Sequence, residues 1–178
     1  TEFDFSSSVD GYGMSLELVA EHLDGELAGM ETYRVYLDLA SASDVVTSFS
    51  GSEDFALELN TTTSFYQHQL GSATPAMLSD MALGAMPALA YDSYITIGVD
   101  GPAGAGEQDA SFIPTMPGGP IGTWPDEFEA GNNLVINSAL GSGWYVTPDA
   151  SNGVAGDDHR ILIAQLTTDG DLSGQFRT

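Results

Sequence analysis

The chain contains no cysteine and no lysine, and its only basic side chains are Arg34, Arg160 and Arg177. Without cysteine, disulfide scaffolds, thiolate zinc sites and thiol nucleophiles are excluded. Without lysine, Schiff-base chemistry and a phosphate-binding P-loop are excluded. Three arginines are too few to neutralise a nucleic-acid backbone, so we expect no nucleic-acid partner. No apolar run approaches the roughly 20 residues of a membrane span, so we also expect no membrane insertion.

Negative charge, in contrast, is abundant: 26 acidic residues against 3 basic ones give a formal net charge of −23 over 178 residues. Such charges repel one another and weaken the compact state unless salt or bound cations screen them. Because carboxylates and backbone carbonyls are good calcium ligands, we expect bound Ca²⁺ and an extracellular or cell-surface location. An acidic surface that serves only solubility is the alternative. Hydrophobic residues make up 42% of the chain, so the acidity does not indicate disorder.

Alternation of apolar and polar side chains is the main pattern in the sequence. Residues 14–21 and 32–39 alternate on either side of a turn at residues 24–29, which predicts a hairpin. Further strands are predicted at residues 45–49, 55–59, 64–67, 94–99, 134–137, 143–146, 161–166 and 172–176. The same alternation predicts that these residues, or their opposite neighbours, are buried: Leu16, Leu18, Tyr33, Val35, Leu37, Ile95, Ile97, Leu162 and Ala164.

One helix is predicted near residues 75–84, because Thr74 is a suitable cap and Pro75 suits the first helical position. Met77, Leu78, Met81 and Ala82 form its apolar stripe, which is predicted to pack over a sheet with the methionines filling space. The fold class is therefore all-β: a β-sandwich, jelly-roll or Ig-like, of about 8–10 strands with one short helix. Residues 1–178 are predicted to form a single domain, with a long glycine- and proline-rich loop at residues 100–125.

Acidic residues cluster in a loop with two glycines late in the chain, and two more follow one strand later. Glycines allow the tight backbone that aims carbonyl oxygens at an ion. The predicted calcium ligands are Asp149, Asn152, Asp157, Asp158, Asp169 and Asp171. The spacing does not match an EF-hand loop, and an Asx-turn that stabilises a β-connection is the alternative interpretation.

Aromatic residues beside polar groups are candidates for binding a sugar. The candidate ligand-binding residues are Trp124, Trp144, Tyr145, Tyr91 and Asp92. Alternating aromatics in short strands are also typical of a sandwich core. No catalytic residues are predicted, because the chain has no Gly-x-Ser-x-Gly elbow and its three histidines are scattered singly.

Three stretches, residues 29–37, 91–98 and 155–175, resemble a recurrent β-rich module of large secreted proteins from marine bacteria, notably of the Bacteroidota. Such proteins string similar modules together, often beside acidic calcium-type repeats. The resemblance implies an exported or surface-attached chain that is one module of a longer polypeptide. Its partners would be neighbouring copies or modules of the same parent protein, and possible glycans. The resemblance implies no catalytic or binding residues.

These observations predict a non-catalytic extracellular structural or adhesive module stabilised by calcium. The first alternative is a carbohydrate-binding module of a secreted marine protein. The second is a polysaccharide hydrolase that uses acidic residues.

Overall fold

The structure, a computed structural model, describes residues 2–7, 9–115, 119 and 121–177. Eleven strands and two short α-helices lie in these ranges, so the predicted all-β class is confirmed. The strands are β1 (Glu2–Ser6), β2 (Gly13–Glu21), β3 (Glu31–Asp38), β4 (Ser48–Gly51), β5 (Leu57–Thr61), β6 (Tyr94–Ile95), β7 (Ser111–Ile113), β8 (Leu134–Ile136), β9 (Ser142–Tyr145), β10 (Arg160–Thr168) and β11 (Leu172–Arg177). The helices are α1 (Asp80–Ala85) and α2 (Trp124–Glu129), and 3₁₀ turns lie at Gly25–Leu27, Pro75–Met77, Pro87–Tyr91 and Ser151–Gly153.

The strands form three open sheets with the orders β1-β11-β5-β8, β2-β3-β10-β6 and β4-β9-β7. The predicted hairpin is confirmed as β2 and β3, which pair antiparallel, and β10 pairs antiparallel with the other side of β3. In the first sheet, β1 adds in parallel to β11. The sheets pack around one main hydrophobic core, which gives the sandwich-like arrangement.

Large aromatic side chains fill the middle of this main core. Trp144 is fully buried, and its ring centroid lies 5.5 Å from that of Phe49 and 5.9 Å from that of Trp124. Aromatic side chains of this size bury much apolar surface, so they contribute strongly to the stability of the fold. The core therefore joins β4, β9 and α2 to the strands of the other two sheets.

Most of the residues predicted for the core are indeed buried. Val35, Leu37, Ile95, Ile97, Leu162 and Ala164 are buried, Leu16 and Tyr33 are partly buried, and Leu18 is 45% exposed. Leu18 lies on β2, which is the edge strand of its sheet. An edge strand has a neighbour on one side only, so its side chains are covered less completely than those of a central strand.

The helix predicted near residues 75–84 is interrupted and begins later. Pro75–Met77 is a 3₁₀ turn, and α1 is capped by Ser79, whose hydroxyl accepts a hydrogen bond from the backbone N–H of Ala82 at 3.4 Å. Met77 and Met81 are 52% and 87% exposed, so the prediction that they fill the core is wrong. Of the predicted apolar stripe, Leu78 is buried and Ala82 packs against the same cluster, as expected.

Leu78 belongs to a second, smaller hydrophobic cluster with Tyr36, Leu89, Tyr94 and Leu162. This cluster covers part of the outer face of the sheet β2-β3-β10-β6, the face turned away from the main core. None of the helices in the described ranges is long and apolar enough to cross a membrane.

The loop predicted at residues 100–125 is more ordered than its composition indicates. It contains β7, in which Phe112 pairs with Trp144 of β9, and it ends where α2 begins. Pro117, Gly118 and Pro120 of the predicted loop lie outside the described residues. Pairing with β9 brings Phe112 against the ring of Trp124, with 5.1 Å between centroids.

Candidate functional site

A β-bulge in β10 determines which side chains reach the outer face of the sheet β2-β3-β10-β6. The register of β10 against β3 shifts between Leu162 and Ala164, so Ile163 is the extra residue. Ile163 and Ala164 both lie in the main core, and the alternation of faces changes phase between them. Gln165 consequently lies on the outer face, directly opposite Arg34.

Gln165 organises this face through all of its side-chain polar atoms. It is 2% exposed, and its Nε2 donates to the carbonyl oxygens of Ala90 at 2.9 Å and Asp92 at 3.0 Å. Its Oε1 accepts from Arg34 Nε at 3.3 Å and from the Tyr94 hydroxyl at 3.5 Å. Burial raises the pKa of the Tyr94 hydroxyl, so this group remains a neutral donor. Gln165 thereby fixes the direction in which Arg34 leaves the sheet.

Two arginines from different strands line one open cavity of about 320 Å³ on this face. Arg34 Nη2 lies 3.0 Å from Asp100 Oδ2, and Arg160 Nη2 lies 3.0 Å from Glu17 Oε2. The guanidinium of Arg160 also lies over the ring of Tyr36, 4.0 Å from its centroid. Two of the three basic side chains in a chain of net charge −23 therefore share one cavity.

We call this cavity the arginine groove and define it by Arg34, Tyr36, Asp100, Asp158 and Arg160. A neighbouring cavity of about 550 Å³ shares Arg34 and Asp100 with it, so the two form adjacent compartments on either side of this ion pair. Cavities of about 300–1,000 Å³ are the usual size for small-molecule sites. The described residues that line the groove include no histidine, serine or threonine. The groove therefore offers guanidinium hydrogen-bond donors beside carboxylate acceptors.

A glycine turn places Asp100 at the edge of the groove. Gly98 has a φ of +74°, and a Cβ at this position would lie 1.9 Å from the carbonyl oxygen of Asn152. Only glycine fits such a close approach without displacing the backbone. The side chain of Asn152 holds the same region together, since its Nδ2 donates to Ile97 O at 2.6 Å and Gln108 O at 3.0 Å.

The predicted calcium ligands are not all available to an ion. Besides its two donated bonds, Asn152 accepts a hydrogen bond at Oδ1 from the backbone N–H of Gln108 at 3.0 Å, so its amide is used in holding the loops. Asp149 is exposed, and hydrogen bonds from the Thr147 side chain and from its own backbone N–H hold its pKa below its usual range. Both residues therefore have local structural roles.

The other four predicted calcium ligands, all aspartates, lie at opposite ends of β10. Asp157 and Asp158 precede this nine-residue strand, and Asp169 and Asp171 follow it. At about 3.3 Å per residue, the two pairs are roughly 30 Å apart and do not share an ion. No three acidic or histidine side chains in the described ranges come together as a metal-holding group. Calcium binding stays a prediction, and we place the candidate calcium site at Asp157 and Asp158.

The two tryptophans proposed for sugar stacking are core residues. Trp144 and Trp124 are 0% and 6% exposed. Trp144 Nε1 donates to Thr96 O at 3.1 Å, and Trp124 Nε1 donates to Ser142 Oγ at 2.9 Å. Their ring faces therefore do not form the exposed platform that stacking on a sugar requires. Tyr145 is 38% exposed and points away from this core.

Asp92, another predicted ligand-binding residue, is 1% exposed and holds a neighbouring loop. Burial raises the pKa of its carboxyl to about 7, although the backbone N–H groups of His68, Ser72 and Ser93 lower it, and the charge of Glu129 raises it further. The bond from His68 N to Asp92 Oδ1 is 2.7 Å long. The carboxyl is thus a buried acceptor for backbone groups and has no access to a ligand.

Tyr91, the last predicted ligand-binding residue, packs edge-on against His22 with 4.4 Å between ring centroids. His22 Nε2 lies 2.9 Å from Thr32 Oγ1, which in turn lies 2.7 Å from Thr167 Oγ1. A histidine beside a hydroxyl has the geometry of a base beside a nucleophile. Thr32 is fully buried, however, so its hydroxyl does not meet a substrate.

Of the residues that line the arginine groove, sequence reasoning had singled out only Asn152 and Asp158 as site residues, both as calcium ligands. The scarcity of positive charge was the one signal that could have pointed to the groove. With 3 basic and 26 acidic residues, each arginine has many carboxylates it could pair with, so where it lies in the fold is informative. Arg34 and Arg160 each sit in a predicted strand or at its start. Their convergence depends on strand order and register, which the pattern of one strand does not contain.

No protein-family model matches the chain, and no curated protein or solved structure is detectably similar to it. The resemblance to modules of secreted marine proteins stays a prediction. The functional argument consequently rests on the geometry of the groove.

Proposed function

We propose that the chain is a non-catalytic extracellular adhesive module that binds a glycan in the arginine groove. The observation that carries this proposal is the convergence of Arg34 and Arg160 on one open cavity, each beside a carboxylate. Sugar hydroxyls both donate and accept hydrogen bonds, so fixed pairs of guanidinium and carboxylate groups match them. The groove is also long, because a second cavity adjoins it across the Arg34–Asp100 pair.

Pre-organisation supports binding at this site. Arg34 is held by Gln165, and Arg160 is held by the ring of Tyr36, so both guanidinium groups are positioned before a ligand arrives. A site that is already ordered loses less conformational entropy on binding. Side chains that only maintained solubility would not need such fixed positions.

The absence of histidine, serine and threonine side chains from the described lining supports a binding role over a catalytic one. Two carboxylates, Asp100 and Asp158, do line the groove and would be the acid and base of the alternative polysaccharide hydrolase. We include hydrolysis as an outcome in the experiment below. We also propose that neighbouring modules of the same parent protein present several such grooves, which would raise avidity.

The proposal is tested by applying the purified chain to a glycan array and measuring hits by calorimetry. Arg160→Gln is the test variant, because it keeps a polar side chain but removes the charge and the fork of donors. Arg177→Gln is the matched control, since Arg177 lies in another sheet, over the ring of Phe55 at 3.8 Å. Binding that weakens in Arg160→Gln and is unchanged in Arg177→Gln supports the proposal.

Three results would contradict it. Equal loss in both variants would indicate a general charge effect, and no binding to any glycan would remove the proposed function. Degradation of a bound polysaccharide that disappears in Asp100→Asn or Asp158→Asn would replace adhesion with hydrolysis. Circular dichroism of each variant establishes that the fold is retained.

A further inference from the structure

The two arginines of the groove form ion pairs that a ligand can replace, Arg34 with Asp100 of the lining and Arg160 with Glu17 beside it. Asp100 and Glu17 are 61% and 48% exposed at their side chains, and each meets its arginine through one nitrogen and one oxygen. Exposed pairs of this type contribute about 0–1 kcal/mol, because water screens the charges. The arginines therefore hold their present partners weakly.

A ligand carboxylate or sulfate would form stronger contacts with the same arginines. A guanidinium presents parallel N–H donors that match two oxygens of one anionic group, and such two-point contacts are shorter and stronger than single ones. Arg160 is stacked on Tyr36, which leaves the edge of its guanidinium plane for such a contact. Arg34 is oriented by Gln165 in the same cavity.

The surrounding charge limits which anions can enter. A net charge of −23 repels densely charged chains such as nucleic acids over the screening length of about 8 Å at physiological salt. A glycan with one anionic group per sugar has a lower charge density and carries the hydroxyls that Asp100 and Asp158 can bind. A single acidic sugar would thus meet both the donors and the acceptors of the groove.

We infer that the arginine groove selects acidic glycans, in which a sugar carboxylate or sulfate displaces Glu17 from Arg160 and bonds to Arg160 and Arg34. This inference rests on the proposed function, since it names the class of glycan for the same site. In this inference Glu17 competes with the anionic group of the ligand for Arg160.

The experiment compares three sets of oligosaccharides of equal length by calorimetry at constant ionic strength. They are oligogalacturonates, the same oligosaccharides with every carboxyl methyl-esterified, and sulfated oligogalactans. We expect the acid to bind on the order of tenfold more tightly than its ester. Comparison with the sulfated set shows whether the groove prefers a carboxylate or a sulfate. The inference is supported if either acidic set binds more tightly than the ester.

Variants separate this inference from a change in folding. Arg160→Gln should lower affinity for the acid by about tenfold, Arg160→Lys by less, and Arg177→Gln should have no effect. Glu17→Gln should raise affinity for the acid by about threefold and leave the ester unchanged, because it removes the competitor. This gain of affinity requires a folded protein, so an unfolded variant cannot mimic it.

The results distinguish a failure of the acidic preference from a failure of glycan binding altogether. If acid and ester bind equally and both weaken in Arg160→Gln, the groove binds neutral sugars and only the acidic preference is overturned. If no oligosaccharide binds, both the inference and the proposed function are overturned. If Glu17→Gln has no effect on acid binding, the displacement of Glu17 is wrong.

Discussion

The two faces of the sheet β2-β3-β10-β6 come from alternate residues of the same strands and have different tasks. The inner face is apolar: Val35, Leu37, Ile95 and Leu166 are each at most 1% exposed. The outer face carries Arg34, Gln165, Tyr94 and Arg160. Gln165 is hydrogen-bonded to Arg34 and Tyr94. Arg160 forms an ion pair with Glu17 and lies over the ring of Tyr36. Packing on the inner face therefore stabilises the fold, and bonding on the outer face orients side chains.

The outer face carries polar side chains beside the second hydrophobic cluster without leaving buried polar groups unsatisfied. No buried side-chain nitrogen or oxygen in the described ranges lacks a hydrogen-bond partner. Unsatisfied buried groups cost about 1–3 kcal/mol each, so complete pairing allows a polar face to persist beside a packed core. The comparison predicts large effects for inner-face substitutions and smaller, more specific effects for outer-face ones.

The largest expected effect is on the inner face. Leu37→Ala should lower the free energy of unfolding by about 2–5 kcal/mol, because it removes buried methyl groups and leaves a cavity. Leu18→Ala is the matched control in the same sheet, and at 45% exposure it should change stability by about 1 kcal/mol or less. Urea titration measures both, and equal losses would contradict the assignment of the inner face to the main core.

The next effect concerns the buried carboxyl beneath the outer face. Burial raises the pKa of the Asp92 carboxyl to about 7 in the folded chain from its ordinary value of 3.8. The folded state thus binds a proton that the unfolded state has lost, so stability falls as pH rises from about 4 to about 7. The loss should be a few kcal/mol, about 2–4.

Asp92→Asn should flatten this part of the stability profile, measured by thermal melting between pH 4 and pH 8. Asp54→Asn is the control, because Asp54 is exposed and its removal changes the net charge by the same amount. If both variants flatten the profile equally, general charge repulsion and not Asp92 is responsible.

A substitution within the outer-face network should have an intermediate effect. Gln165→Leu removes the partners of Ala90 O, Asp92 O and Arg34 Nε, and should lower the free energy of unfolding by about 1–3 kcal/mol. Gln175→Leu, at an exposed position of β11, should change it by about 0.5 kcal/mol or less. Glycan affinity is the second readout: it should fall in Gln165→Leu only, since Arg34 loses its orientation.

The smallest expected effect is that of calcium. Asp157 and Asp158 are one pair of neighbouring carboxylates, separated by β10 from the pair Asp169 and Asp171, so we expect a weak site at Asp157 and Asp158 with a Kd near 1 mM. Chelation from 1 mM free Ca²⁺ should then remove about 0.4 kcal/mol, which lowers Tm by roughly 1–2 °C. Asp157→Ala should abolish this difference at matched ionic strength. Identical melting curves with calcium and with chelator would show that the 156–158 turn binds no ion.

The sequence predicted strands well where they were long and alternated regularly. The hairpin of β2 and β3, and the strands β5, β8, β9, β10 and β11, were all expected near their observed positions. The strands β1 and β7 were not expected; β7 lies within the glycine- and proline-rich stretch 100–125, whose composition predicted a loop. Residues 64–67 alternate but form no strand, because Phe65 N and Tyr66 N donate to Gly131 O and Thr167 O, which lie on different elements and do not form one continuous ladder.

The sequence by itself determined the all-β class, since period-2 alternation and turn glycines act through neighbouring residues. Tertiary structure alone decided the site. Arg34 and Arg160 meet because β3 and β10 are adjacent, and the bulge at Ile163 turns Gln165 towards Arg34. The same β10 separates Asp157 from Asp169, which the sequence places only one strand apart. Strand order, register and a single inserted residue are long-range properties, so no local pattern could have shown which charges meet.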